Sequence, residues 1–167
     1  IIDALEQIKD TDFRMFFVGI GYAADEMKKL VAEKGLDDKV TFVGSITDRE
    51  KMKTYYAAAD LFLFPSLYDN APLVVREAPT LHTPSVMVKQ AKTTTIIRDN
   101  ENAFLIENDL TDFKNTLIAL KNDRKRVREV GIRASHSIVR SWESVADEVV
   151  ERYNDIISTR KLIRVMK

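Results

Sequence analysis

The sequence predicts an α/β protein in which a parallel sheet carries helices on both faces, and three observations lead there. Short β-rich runs alternate with helical patterns over most of the length. The runs are apolar enough to be buried on both sides, as strands of a parallel sheet are. And 167 residues fit one domain with a substantial core, without disulfides or a structural metal.

The first residues read as a helix already under way, with Ile1, Ile2, Leu5 and Ile8 on one face and no cap in front, as if the chain were entered mid-element. The strand runs are then Phe13 to Val18, Lys39 to Val43, Asp60 to Phe64, Pro84 to Val88 and Ala103 to Ile106. Between them, Ala24 to Lys34 places Met27, Leu30 and Val31 at helical spacing, with Gly35 in the C-cap region. Thr47 is the expected cap of the next helix, with Glu50 three residues on completing a capping box. A third helix is expected from about Pro72, behind the cap acceptors Asp69 and Asn70. From about residue 109 the strands stop, and Leu110 to Leu120, Arg124 to Arg140 and Trp142 to about Lys161 read as three helices packed over the sheet. Trp142, Val145, Val149, Tyr153 and Ile156 form a stripe expected to be packing. Residues 1–167 thus read as one domain with a helical C-terminal part.

Composition excludes several classes. A chain 45% apolar and 31% charged is not disordered, and 26 basic against 26 acidic residues give no overall basic field for nucleic acid. With no cysteine there is neither a disulfide nor a thiolate nucleophile, and His82 and His136 alone leave little for a metal site. No apolar run approaches the ~18 residues of a membrane span, and IIDALEQIKD lacks the order of a signal peptide. The expected location is cytoplasmic.

In an open parallel sheet the ligand lies beyond the carboxyl ends of the strands, which singles out four loops: Gly19-Ile20-Gly21, Gly44 to Thr47, Pro65 to Ala71 and Lys89 to Thr95. Gly19 and Gly21 allow backbone to approach an anion, although they lack the third glycine of a dinucleotide fingerprint and a plain tight turn explains them equally. Asp69 and Glu77 stand eight apart across a strand-to-helix turn. They could accept hydrogen bonds from sugar hydroxyls while N–H groups around Leu73 and Val74 meet a phosphate. The plainer alternative makes Asp69 a helix cap and Glu77 a solvated helix residue.

The stretch LFLFPSLYDNAPLVVREAPTLHTPSVMV resembles the donor-site segment of retaining nucleotide-sugar glycosyltransferases of the GT-B fold, the glycogen-synthase-like group. Pro65-Ser66, Asp69, Glu77-Ala78 and Thr83-Pro84 fall at that family's spacings, and FVGIGYAADEMKKLVAEKGLDDKVTFVGSI, IIRDNENAFLIEND and SWESVADEVVERY continue the agreement. The resemblance implies the C-terminal, Rossmann-like half of a GT-B fold. It implies that Glu77 binds the ribose hydroxyls, that Asp69 is the catalytic-site acid near the donor sugar, shorter than the usual glutamate, and that Asn70, Ala71, Pro72, Leu73 and Val74 form the turn whose backbone contacts sugar and diphosphate. Gly19 and Gly21 match the glycine loop beside the donor, and Gly44, Ser45 and Ile46 the loop along the base. Pro72 and His82 stand where glycine is common; Pro72 removes an N–H donor, and His82 reads as a surface helix residue.

The family also carries a strand ending in a glycine-arginine pair and a loop with a lysine, whose cations grip the diphosphate, and neither is in this sequence. That strand would be the first and central one of a 3-2-1-4-5-6 sheet, between the first and third runs. Its absence would leave two edges unpaired, at about 1–3 kcal/mol for each buried unsatisfied group. The expected protein is therefore longer, with an acceptor-binding domain upstream. It would move a sugar from a nucleoside diphosphate, a UDP-sugar for example, to a glycan or lipid acceptor without a metal or other cofactor, and the present chain alone would be inactive. Two basic tracts, Lys121 to Arg133 and the tail after Ser158, suit either a solvated helix face or an anionic membrane surface met peripherally from inside the cell. Two alternatives stay open: a nucleotide-binding or regulatory α/β module without catalysis, in which Asp69 and Glu77 have no role, and a structural interaction domain, which the scarcity of glycine in the loops favours.

Overall fold

The computed structural model describes residues 1–70, 72–91 and 96–165, with side chains to Thr159. The elements run α1 (Ile2–Glu6), β1 (Met15–Val18), α2 (Ala24–Glu33), β2 (Val40–Gly44), α3 (Arg49–Ala58), β3 (Phe62–Phe64), α4 (Val74–Glu77), a 3-10 turn (Ala78–Leu81), β4 (Ser85–Val88), β5 (Phe104–Ile106), α5 (Leu110–Asn122), α6 (Arg124–Ser137) and α7 (Trp142–Val165). Each expected strand is present, beginning one or two residues later than its apolar run.

All pairings are parallel, in two groups: β1 with β2, and β3 with β4 with β5. Among the described residues β1 and β3 are not paired with each other, as expected for a sheet interrupted at its centre. The two groups nevertheless share one interior. Ile2 and Leu5 of α1, Val31 of α2, Val86 and Val88 of β4, Phe104 and Ile106 of β5 and Phe113 and Leu117 of α5 form a single apolar cluster, against which Met15 and Phe17 of β1 also pack. Met87 points to the opposite face and meets Val75 of α4 and Ala134 and Ile138 at the end of α6. Alternate residues of one strand thus feed two cores, which is what helices on both sheet faces require. Burial on both sides holds fully for β4, where all four residues are buried. It does not hold for β1, whose Phe16 is exposed, its ring meeting only the edge of Tyr55 on α3 among the described aromatic contacts.

Local signals explain the helix ends. After α2, the Gly35 N–H donates to the Ala32 carbonyl and the Leu36 N–H to that of Val31, both at 3.0 Å, with Gly35 at φ 64°. Leu36 and Val31 on either side of this closing motif are both buried in one apolar cluster. The cap of α3 is Asp48 rather than Thr47: its carboxylate accepts from the N–H groups of Glu50 at 2.9 Å and Lys51 at 3.2 Å. An anion suits that end of the helix dipole better than a hydroxyl. The helix expected from Pro72 is one α-turn, because Pro79 cannot continue its hydrogen bonding and the chain tightens into the 3-10 turn.

His82 is not a helix residue. It closes that 3-10 turn at φ 62°, ψ 23°, the left-handed conformation that glycine adopts without strain. His82→Gly is therefore expected to stabilise the protein by about 0.5–1 kcal/mol, seen as a higher urea midpoint at unchanged slope. Thr83, next along, is buried and donates its hydroxyl at 2.6 Å to the Tyr56 carbonyl in the last turn of α3, which also accepts from the Ala59 N–H at 3.1 Å.

The last helix differs from expectation. Its stripe is not buried: Trp142 is 78% and Tyr153 63% exposed, and Val149, Val150, Ile156 and Ile157 are exposed with them. Helical periodicity marks an apolar face whether or not anything covers it.

Candidate functional site

The four loops singled out above leave from the carboxyl ends of β1, β2, β3 and β4. The first two are tied together. The Gly19 N–H donates to the Gly44 carbonyl at 2.8 Å, beyond an irregularity that sets Val18 opposite Gly44. Both glycines have positive φ, 136° and 80°, with nothing within 4 Å of where a Cβ would sit. Backbone conformation, not crowding, therefore requires glycine at both, and the space above them is open to a ligand. Gly21 and Ser45 are exposed, and Ile46 is half-buried beside them.

The loop after β3 holds the acids. Asp69 is exposed and accepts a hydrogen bond from the Ser66 hydroxyl at 2.5 Å, so the serine of the Pro65-Ser66 turn fixes the carboxylate. It does not cap α4, whose N-cap is Leu73 and which has no side-chain cap. Glu77 ends α4, exposed, and its Oε2 accepts from the Tyr56 hydroxyl at 3.4 Å. The two carboxylates are thus held by different donors. The plainer alternative fails for Asp69, which does not cap; Glu77 is an exposed helix residue, as that alternative has it, with one long hydrogen bond from Tyr56.

Between the acids, Asn70 and Leu73 are exposed and Pro72 and Val74 half-buried. The Val75 N–H donates to the Pro72 carbonyl at 3.2 Å, and those of Arg76 and Glu77 to the Leu73 carbonyl at 2.8 and 2.9 Å. Ala71 and Lys92 to Thr95, the latter part of the fourth loop, lie outside the described residues. Arg76 turns away, donating to the Ile138 carbonyl at 2.9 Å and pinning α4 to the end of α6. Lys89, just past β4, is paired with Glu107 beyond β5 at 2.7 Å. The hydrogen bond to Glu107 raises the Lys89 pKa, and the same bond lowers that of Glu107.

Two cavities of ≈ 260 and ≈ 660 Å³, bordered by Lys89, Asp99 and Arg126 and by Arg98, Arg133 and His136, are not lined by Asp69 or Glu77. Among the described residues no cluster of metal-ligating side chains occurs, and no helix is long and apolar enough to cross a membrane.

Three of the six cations in the basic tract Lys121 to Arg133 are used by the fold. Arg124 pairs with Asp60. Arg126 bonds the Asn100 side chain and lies 5.7 Å over the Phe104 ring. Arg133 donates to the carbonyls of Glu101 at 2.9 Å and Asn100 at 3.1 Å. These three hold the turn before β5, where Asn100 has φ 62°, and the start of β3. These three cations serve the fold, a use that neither the solvated-face nor the membrane-surface reading of the tract foresaw.

Tyr56 was not marked by the sequence as part of the site. Its signal is faint: Met52 and Tyr56, one helical turn apart, place it on the inner face of α3 like any core aromatic.

Parallel strands with helices on both faces and glycine-bearing loops at the strands' carboxyl ends place the chain in the class of open α/β domains that take ligands at that end of the sheet. The chain belongs to the glycosyl transferases group 1, whose family model matches residues 1–136. It is 33% identical over 132 residues to a D-inositol 3-phosphate glycosyltransferase of Nocardia farcinica, which covers 78% of this chain and 29% of that protein. The fold matches the C-terminal domain of a glycosyl transferase group 1 family protein (LpcC) from Francisella tularensis, with TM-score 0.72 and 23% identity over 82% of this chain and 74% of that one. It also matches Anabaena HepE in complex with UDP, with TM-score 0.77 and 20% identity over 92% of this chain and 44% of that one. The chain therefore spans less than a third of the length of the curated relative and less than half that of HepE.

Proposed function

We propose that this chain is the donor-binding domain of a retaining glycosyltransferase that moves a hexosyl group from a nucleoside diphosphate sugar to a glycan or lipid acceptor. The observation that carries the reading is the segment from the end of β3 through α4, where Ser66 holds Asp69 in the loop and Tyr56 bonds Glu77 at the end of the helix, both acids exposed. Glu77 takes the ribose hydroxyls, Asp69 lies by the sugar, and Gly19, Gly44 and the turn at Pro72 to Val74 line the nucleotide and diphosphate. The UDP in the HepE structure supports a uridine nucleotide as the first ligand to test.

Departure of the diphosphate needs developing negative charge to be stabilised. Arg76 and Lys89 are engaged elsewhere. In this proposal the required cations come from a segment beyond these residues, entering between β1 and β3, and transfer proceeds without a metal ion. The acceptor-binding domain belongs to the same longer protein. Chain length supports this, since the matched relative is more than three times as long as the aligned part. It follows that the 167-residue chain alone transfers no sugar and binds nucleotide weakly.

NMR titration with UDP, GDP and ADP tests the proposal. One of the three should bind in the millimolar range, and Glu77→Ala should weaken it about tenfold or more, the cost of losing hydrogen bonds to a charged acceptor. Affinity indifferent to the substitution would favour the nucleotide-binding module without catalysis.

A further inference from the structure

We propose that Tyr56 is a positioning residue of the donor site, its buried hydroxyl holding the Glu77 carboxylate in the orientation that receives the vicinal hydroxyls of the nucleotide ribose. The inference rests on the reading of Glu77 given above. It begins with an imbalance between the two partners. Glu77 is exposed at the end of a helix of one turn, where a side chain with three rotatable bonds has little to fix it. Tyr56 is the opposite, 6% exposed and held at each part. Its carbonyl accepts from Thr83 at 2.6 Å, and its ring meets that of Phe62 edge-on at 5.8 Å between centroids. Only the hydroxyl reaches the carboxylate.

A donor on a fixed ring orders the glutamate before any ligand arrives, so less freedom is lost on binding. One Tyr56 hydrogen bond uses one acceptor position of Oε2, and a carboxylate offers about four. The rest remain for two ribose hydroxyls. At 3.4 Å the bond is long, and such contacts shorten when a ligand closes the site. Burial and the charge of Glu77 hold the phenol protonated, so it stays a donor across the physiological range.

The test compares the full chain, Tyr56→Phe, Glu77→Gln and the double variant, each titrated with whichever of UDP, GDP or ADP binds and with its 2′,3′-dideoxy counterpart. Tyr56→Phe keeps the ring and its contact with Phe62. It is expected to weaken the ribonucleotide about threefold to tenfold, to leave the dideoxy ligand unchanged, and to add nothing in the Glu77→Gln background. Equal weakening of both ligands would show that Tyr56 acts by packing alone and would overturn the inference. So would an effect on neither, if Glu77→Gln still weakens the ribonucleotide. If wild type binds no nucleotide, or if Glu77→Gln is without effect, the donor-site reading of Glu77 falls and this inference with it.

Discussion

Gly131→Ala is expected to destabilise the protein by about 3 kcal/mol, the upper part of the range for overpacking, and to lower Tm by roughly 6–12 °C. In an exposed helix the same change would stabilise by about 1 kcal/mol. Here the sign reverses because α6 passes directly over the turn before β4. A Cβ at Gly131 would lie 1.9 Å from the His82 carbonyl oxygen and 3.1 Å from Cδ of Pro84. The obstacle is backbone, and it cannot yield: the His82 N–H is bonded to Pro79, and Thr83 is anchored on Tyr56. The helix itself must move, withdrawing Val127 and Val130 from one core and Ala134 and Ile138 from the other. Thermal and urea unfolding measure the effect, and an unchanged or raised Tm would show that α6 has room to spare.

Alkaline stability should fall between about pH 10 and pH 12 through Tyr56. Burial first, then the charge of Glu77 and the hydrogen bond to it, push the phenol from its ordinary 10.0 up to about 12. Within that window the unfolded chain has lost the proton and the folded one keeps it. The unfolded state thus binds fewer protons, and unfolding becomes easier as pH rises. Stability from this group is complete below pH 10 and has gone by about pH 12, a loss of roughly 2–3 kcal/mol. Lys34 and Lys89 are raised above their ordinary 10.5, chiefly by hydrogen bonds to Glu6 and Glu107, and their pairs weaken in the same region. The Tyr56 component is accordingly the difference between wild type and Tyr56→Phe, measured by urea midpoints on either side of the window. Parallel pH curves for the two proteins would remove it.

Much of the fold was legible because its signals are local. Five apolar runs became five strands, and Gly35 ended its helix with the expected left-handed turn. Misreadings came where two local signals competed. Thr47 and Asp48 both accept from N–H groups, and the charged one won. Pro72 starts a helix well enough, but Pro79 shortens it. The candidate site was legible mainly as a series of letters resembling a family. The physics beneath those letters needed coordinates: Ser66 gripping Asp69, His82 in a conformation suited to glycine, and Thr83 closing α3. Tyr56 could not be told from any other core aromatic, because its partner lies twenty-one residues away, beyond β3 and the loop that follows it. The exposed face of α7 shows the same limit, since a periodic stripe carries no information about its neighbour.

The division between β1–β2 and β3–β4–β5 also bears on how the chain behaves in concentrated solution. Side chains choose partners by shape, whereas an open strand border accepts any extended peptide, its own copies included. A sheet parted along its middle therefore carries its stickiest border where most α/β proteins have their best-protected one, and these 167 residues alone in the test tube invite clumping.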